Sequence, residues 1–229
     1  NDVDTGLPLA VMDCTWITAR RTGAASAVAA RYLARPESKT LGVLGCGVQG
    51  RSNLEALHVL FPLERVVGYD PSPEALDRWV EFAESLGLKT LRAAEPRETV
   101  EGMDLVVTAG PVLKTPHATI QAGWLSEGSF ASLVDYTTYW SRAALAEVDK
   151  FCTDDRAQFA HHQGLGYLQE VPPLYATVGE LATGLKPGRE NPRERTATCN
   201  LGLALEDMAT APLIYRKALE KGLGTRLEL

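Results

Sequence analysis

The run Gly45-Cys46-Gly47-Val48-Gln49-Gly50 constrains this chain more than any other feature. It follows the apolar run Leu41-Gly42-Val43-Leu44 and opens a helical pattern from Val48 to Phe61. It also lies 20 residues ahead of Asp70, which closes the next apolar run, Arg65 to Tyr69. Glycines at this spacing serve a strand that turns directly into a helix. Gly45 permits the tight turn, Gly47 lets backbone approach a pyrophosphate, and Gly50 lets helix and strand lie close together. The helix start then presents free N–H groups and a positive dipole end. The expectation is a dinucleotide site. Asp70 can accept hydrogen bonds from ribose hydroxyls and repels a ribose phosphate. Pro71-Ser72-Pro73 supplies no cation to offset that repulsion, so the expected cofactor is NAD(H) rather than NADP(H).

The rest of the chain alternates apolar runs with helical stretches. Strands are expected near 41–44, 65–69, 103–108 and 130–134, and a weaker one at 150–153. Helices are expected over 18–35 with Thr18 as N-cap, over 48–61, from the Ser72 cap with Pro73 at N1 to about 86, and over 202–221 with a kink at Pro212. Alternation of this kind predicts an α/β fold, a Rossmann-type doubly wound parallel sheet. Residues 1–6 read as a turn and 7–12 as a strand. A turn with no strand ahead of it suggests a sequence that begins inside a domain.

Two strand ends carry further candidates. Thr108-Ala109-Gly110 ends the fourth strand, where small residues suit backbone close to a nicotinamide ribose. Asp135 ends the next strand, placed either for acid/base work or as a turn cap for Thr137-Thr138-Tyr139. Arg20-Arg21-Thr22 opens the Ala-rich helix as either a carboxylate-binding fork or a pair of solvated charges. His161-His162 lacks a carboxylate or Cys at ligand spacing, so no metal site is expected.

Composition narrows the partners. Lys plus Arg is 23 against 29 Asp plus Glu, a net charge of −6, without the basic surplus of a nucleic-acid binder. No apolar run reaches the ~20 residues of a membrane span. The acidic, polar start is not expected to act as a signal peptide. Cys14, Cys46, Cys152 and Cys199 form no C-x-x-C pair and are expected to be reduced thiols of a cytoplasmic protein.

The motifs together resemble the ornithine cyclodeaminase/mu-crystallin family. They are Gly6-Leu7-Pro8-Leu9-Ala10-Val11-Met12-Asp13, then Thr18-Ala19-Arg20-Arg21-Thr22-Gly23-Ala24-Ala25-Ser26, then the Gly-rich turn with Gln49 before Gly50. Gly179-Glu180-Leu181, Gly184, Pro187-Gly188-Arg189 and Gly202-Leu203-Ala204-Leu205-Glu206-Asp207 agree. The resemblance implies that Arg21 grips a substrate carboxylate and Thr22 lies beside the cofactor. It pairs Val48 and Gln49 with the pyrophosphate, Asp70 with the ribose and Thr108 with the cofactor at its strand end. Asp135 would handle protons at the amino group.

It further implies three parts: 1–36 as the remnant of a substrate and dimerisation domain, 37–175 as the NAD-binding domain, and 176–229 as a helical return to the first. An N-terminal half-domain supplying a catalytic Lys and the dimer sheet would precede this sequence. The implied activity is ornithine cyclodeaminase-like: oxidation to an imine, ring closure with loss of ammonia, and re-reduction. Its alternatives are an amino-acid dehydrogenase or imine reductase, and a non-catalytic mu-crystallin-like binder. The implied partners are a small amino or imino acid and a second copy in a homodimer. Tyr136, Tyr139 and Trp140 stand where the family carries a Pro-Gly-Lys segment, and such aromatics reshape the pocket.

Overall fold

The computed structural model describes residues 1–227. Eight parallel strands form one sheet: β1 (Thr40–Leu44), β2 (Arg65–Tyr69), β3 (Lys89–Arg92), β4 (Leu105–Thr108), β5 (Phe130–Leu133), β6 (Lys150–Thr153), β7 (Leu174–Thr177) and β8 (Thr196–Cys199), in the order β3-β2-β1-β4-β5-β8-β6-β7. The helices are α1 (Thr15–Leu33), α2 (Val48–Leu60), α3 (Pro73–Ser85), α4 (Arg142–Leu145), α5 (Arg156–Gly164), α6 (Val178–Ala182) and α7 (Ala204–Glu220). β1 leads outward to β2 and β3, while β4 starts on its other side and leads to β5. The strand order therefore reverses between β1 and β4, and a crevice opens at their carboxyl ends.

Each face of the sheet buries its own core. Val43, Leu105 and Val107 join α1, α2 and α3 side chains on one face; Leu44, Val106, Leu133 and Trp140 share the other. Central strands covered on both sides read as continuous apolar runs, which is why β1, β4 and β5 are legible. The small residues of α1 serve a close approach: a Cβ on Gly23 would meet the Ser52 carbonyl oxygen of α2 at 2.5 Å. α1 runs back along the sheet. Its C-terminal Leu33 carbonyl accepts from Thr196 Oγ1 at 2.8 Å at the start of β8, and Ser26 accepts from Ser132 at 2.8 Å near the end of β5. Its N-terminal half, with Arg21 and Thr22, thus lies toward the carboxyl ends of the strands.

Several expectations are corrected. Thr18 is not a cap; the helix starts at Thr15, whose N–H donates to Asp13 Oδ1 at 2.6 Å. Residues 7–12 form no strand, because no neighbouring strand supplies a ladder among the described residues, and they are exposed. β3, β7 and β8 are additional strands. β8, Thr-Ala-Thr-Cys, has no apolar run, yet all four residues are buried because it lies between β5 and β6. Within 176–229, the stretch expected to be helical, β8 therefore belongs to the sheet, and the long helix begins at Ala204 with Pro212 inside it. β6 carries a buried Lys150, whose ammonium meets Glu190 at 2.6 Å and Glu194 at 3.3 Å and so ties the strand to the loop ahead of β8. Among the described residues no helix is long and apolar enough to cross a membrane.

Candidate active site

The crevice at the β1/β4 reversal is a cleft of about 610 Å³, with Gly45, Gly47, Asp70, Ala109, Gly110 and Tyr139 on its wall. Gly45 has φ +99°, a left-handed conformation that side chains resist, and a Cβ there would lie 2.6 Å from the Ala109 carbonyl carbon. A Cβ on Gly50 would collide with the Gly45 carbonyl. Those two glycines are dictated by the protein's own packing. Gly47 is not: a Cβ there would meet nothing within 4 Å, so what it leaves clear is the mouth of the cleft.

Gly47 is also the N-cap of α2, with no side-chain cap and no acid in the first turn. The 13-residue helix therefore turns uncapped N–H groups, at Val48 and Gln49 among others, toward an open space. Beside this turn stands Asp70. Its Oδ2 accepts from Cys46 N–H at 2.7 Å and its Oδ1 from Ser72 N–H at 2.9 Å, which fixes the carboxylate at the rim. A free helix N-terminus, a glycine with nothing over it and a held carboxylate fit a dinucleotide.

Asp135 lies beneath this floor. It is fully buried; its Oδ1 accepts from Thr108 Oγ1 at 2.7 Å and its Oδ2 from Gly110 N–H at 3.2 Å. Burial pushes its carboxyl up to about 7, against the opposing hydrogen bonds from Thr108 and Gly110. The carboxylate therefore does not cap Thr137-Thr138-Tyr139, where Thr138 bonds the Asp135 backbone carbonyl instead; it ties the ends of β4 and β5 together at Thr108 and Gly110. Its carboxylate does not line the cleft but is bonded to Gly110, which does. The next residue, Tyr136, takes φ +63°, and its ring meets His162 and Tyr167 edge-on.

Arg21 stands apart from the cleft. Its Nε donates to Asp207 at 3.1 Å and its Nη1 to Glu206 at 3.3 Å, with Gly202 leaving room for the guanidinium. The C-terminal motif thus holds the arginine, and Arg21 is not merely a solvated charge. Burial raises the Glu206 carboxyl, opposed by Arg21 and assisted by Asp154. The buried Cys199 thiol is raised mainly by desolvation, with the charges of Asp135 and Asp154 adding to it. Asp154 belongs to no motif of the sequence; its link to the C-terminal segment, in which Gly202 N–H donates to Asp154 Oδ2 at 2.7 Å, exists only in the fold. Thr22 is half-buried on α1. Among the described residues no group of three or more His, Cys, Asp or Glu is arranged to hold a metal.

Fold and cleft together define a doubly wound α/β protein with a glycine-rich turn at its switch point. Residues 1–222 match the profile of the ornithine cyclodeaminase/mu-crystallin family, and the chain belongs to that family. It is 34% identical to an alanine dehydrogenase of Archaeoglobus fulgidus, with 100% of this chain and 72% of that protein covered. The structure of Thermococcus litoralis Δ1-pyrroline-2-carboxylate reductase in complex with NADH and L-proline is similar at a TM-score of 0.86 and 34% identity, covering 99% of this chain and 72% of that one. An archaeal alanine dehydrogenase dimer with bound NAD is similar at 0.85 and 33%, covering 100% and 72%.

Proposed function

We propose that this chain is an NAD(H)-dependent enzyme of amino-acid metabolism that acts at a carbon–nitrogen bond beside a carboxylate. The observation that carries the reading is the uncapped start of α2 behind Gly47, with the Asp70 carboxylate held beside it at the rim of an open cleft. The relatives that hold NADH or NAD, and the names those relatives bear, support it. When bound, the nicotinamide cofactor supplies hydride chemistry. Gly45, Gly47, Val48, Gln49 and Gly50 present the α2 terminus to the pyrophosphate, and Asp70 takes the ribose. Thr22 and Thr108-Ala109-Gly110 border the cofactor toward the reacting end. Arg21 binds the substrate carboxylate with its planar fork, and Asp135 holds or releases a proton near neutral pH.

Two outcomes share this machinery. In a dehydrogenase or reductase the hydride stays transferred, and the names of the 34%-identical relatives support that version. In the ornithine cyclodeaminase-like version, ammonia leaves, the side-chain amine closes the ring, and the hydride returns; the family's name supports it. The dimeric alanine dehydrogenase supports a homodimer. The test is to mix the protein with amino acids, 2-oxo acids plus ammonia, and cyclic imines while following NADH absorbance and ammonia. Net absorbance change marks the first version; ammonia release without it marks the second. NADH binding with no turnover on any of them would replace the enzyme by a ligand binder.

Asp70 should decide the cofactor. A like charge placed against it costs several kcal/mol, so NADH should bind on the order of 100-fold more tightly than NADPH, about 3 kcal/mol. Asp70→Ala should collapse that ratio toward one. Equal affinities in the unaltered protein, measured by fluorescence titration, would remove Asp70 from this role.

A further inference from the structure

Trp140 is 2% exposed, and its indole N–H donates to Thr108 Oγ1 at 3.2 Å. That hydroxyl donates in turn to Asp135 Oδ1 at 2.7 Å. An indole N–H can only donate, and a hydroxyl has one hydrogen. With the indole on one of its lone pairs, the hydroxyl hydrogen is kept from turning that way and is directed at Asp135, and the indole polarises the hydroxyl as a donor.

Trp140 reaches this position from a separate compartment. The segments 117–120 and 138–141 pair as a short wall: His117 N–H donates to the Thr138 carbonyl and Ile120 N–H to the Tyr139 carbonyl, each at 2.7 Å, and Ser141 N–H returns to Ile120 at 3.0 Å. Side chains alternate across it. His117, Thr119 and Tyr139 face the cofactor cleft. Pro116, Ala118 and Trp140 face a second cavity of about 200 Å³.

We propose that Trp140 is a positioning residue that biases and polarises Thr108 as a donor to Asp135 and thereby lowers the proton affinity of that carboxyl. The groups that face Asp135 fit this. Cys199 on β8 and Tyr139 on the wall are both acids raised by burial, and neither brings a positive charge. Burial favours the neutral carboxyl, so the donors Thr108 and Gly110 are what favour the anion. Without the indole, the Thr108 hydroxyl loses that polarisation and gains a further orientation from which to accept from a protonated Asp135, so the anion keeps the Gly110 N–H but loses part of its advantage.

The catalytic consequence rests on the proposed role of Asp135; the effect on proton affinity does not. It is tested on the protein without cofactor, labelled with 13C-aspartate. The Asp135 carboxyl band is assigned with Asp135→Asn and followed by infrared spectroscopy against pH. Trp140→Phe should raise the titration midpoint by about one pH unit, about 1.4 kcal/mol. Thr108→Val should raise it at least as much, Thr108→Ser should restore it, and Trp140→Phe in the Thr108→Val background should add nothing. A folded Trp140→Phe protein with an unmoved midpoint overturns the proposal, as does an equal shift with Thr108 already absent. If Trp140→Phe loses its near-ultraviolet dichroism, Thr108→Val decides, and an unmoved midpoint there overturns it. A shift as expected, beside an Asp135→Asn variant that keeps its turnover, would leave this inference standing and remove the catalytic role of Asp135.

Discussion

Asp135→Asn should lower kcat by roughly 10²- to 10⁴-fold, the usual contribution of a general acid or base. Conversion between amine and imine moves a proton, and Asp135 is the carboxyl at this strand end poised near 7. NADH affinity should barely change, since the pyrophosphate is assigned to Gly47 and the α2 terminus. A purely structural cap would show the opposite pattern, with melting temperature falling and kcat intact.

The same substitution carries a stability signature of definite sign. An unfolded Asp loses its proton near 4, whereas folded Asp135 keeps it until about 7. As pH rises through that window the unfolded state sheds the proton first, so folding stability from this group falls with pH, by up to about 1.4 kcal/mol per unit. The contribution is fully present below the unfolded value and gone above 7. Asp135→Asn should therefore flatten the fall in melting temperature between pH 4 and 7, whatever its effect on absolute stability. A wild-type curve with no such fall, or an undiminished fall in the variant, would show that the carboxyl does not titrate there.

The second large effect is expected at Arg21. Truncating one partner of a desolvated, charge-assisted contact costs about 2–5 kcal/mol, so Arg21→Ala should reduce kcat/KM by roughly 30- to several-thousand-fold. Arg21→Lys should not recover it, because an ammonium cannot copy a fork that spans Glu206 and Asp207 and, as proposed, a ligand carboxylate as well. The loss should fall on substrate and not on NADH. Because Arg21→Ala also leaves Glu206 partly buried without its cation, melting curves are needed beside the kinetics. Unchanged kinetics in Arg21→Ala would end the substrate role, and a loss wholly explained by unfolding would make the residue a strut between α1 and α7.

What the sequence alone determined about this protein is what depends on near neighbours. The apolar runs of β1, β2, β4 and β5, the glycine spacing at 45–50 and the Ser72-Pro73 helix start are local statements about period, turn and cap. Each found its element because strand burial and backbone conformation are governed within a few residues. Asp70 was legible for the same reason, since the unit from β1 to β2 has a nearly fixed length. What lay beyond the sequence was decided by strand order. β8 is buried because it enters between β5 and β6, and nothing in Thr-Ala-Thr-Cys announces that. Arg21 is held by carboxylates 185 and 186 residues away. Asp135 acquired its raised proton affinity, and Trp140 its hold on Thr108, only when the wall of 117–120 and 138–141 closed over the ends of β4 and β5. Desolvation and hydrogen-bond direction belong to surroundings assembled from distant segments, and only the tertiary structure brings those segments together.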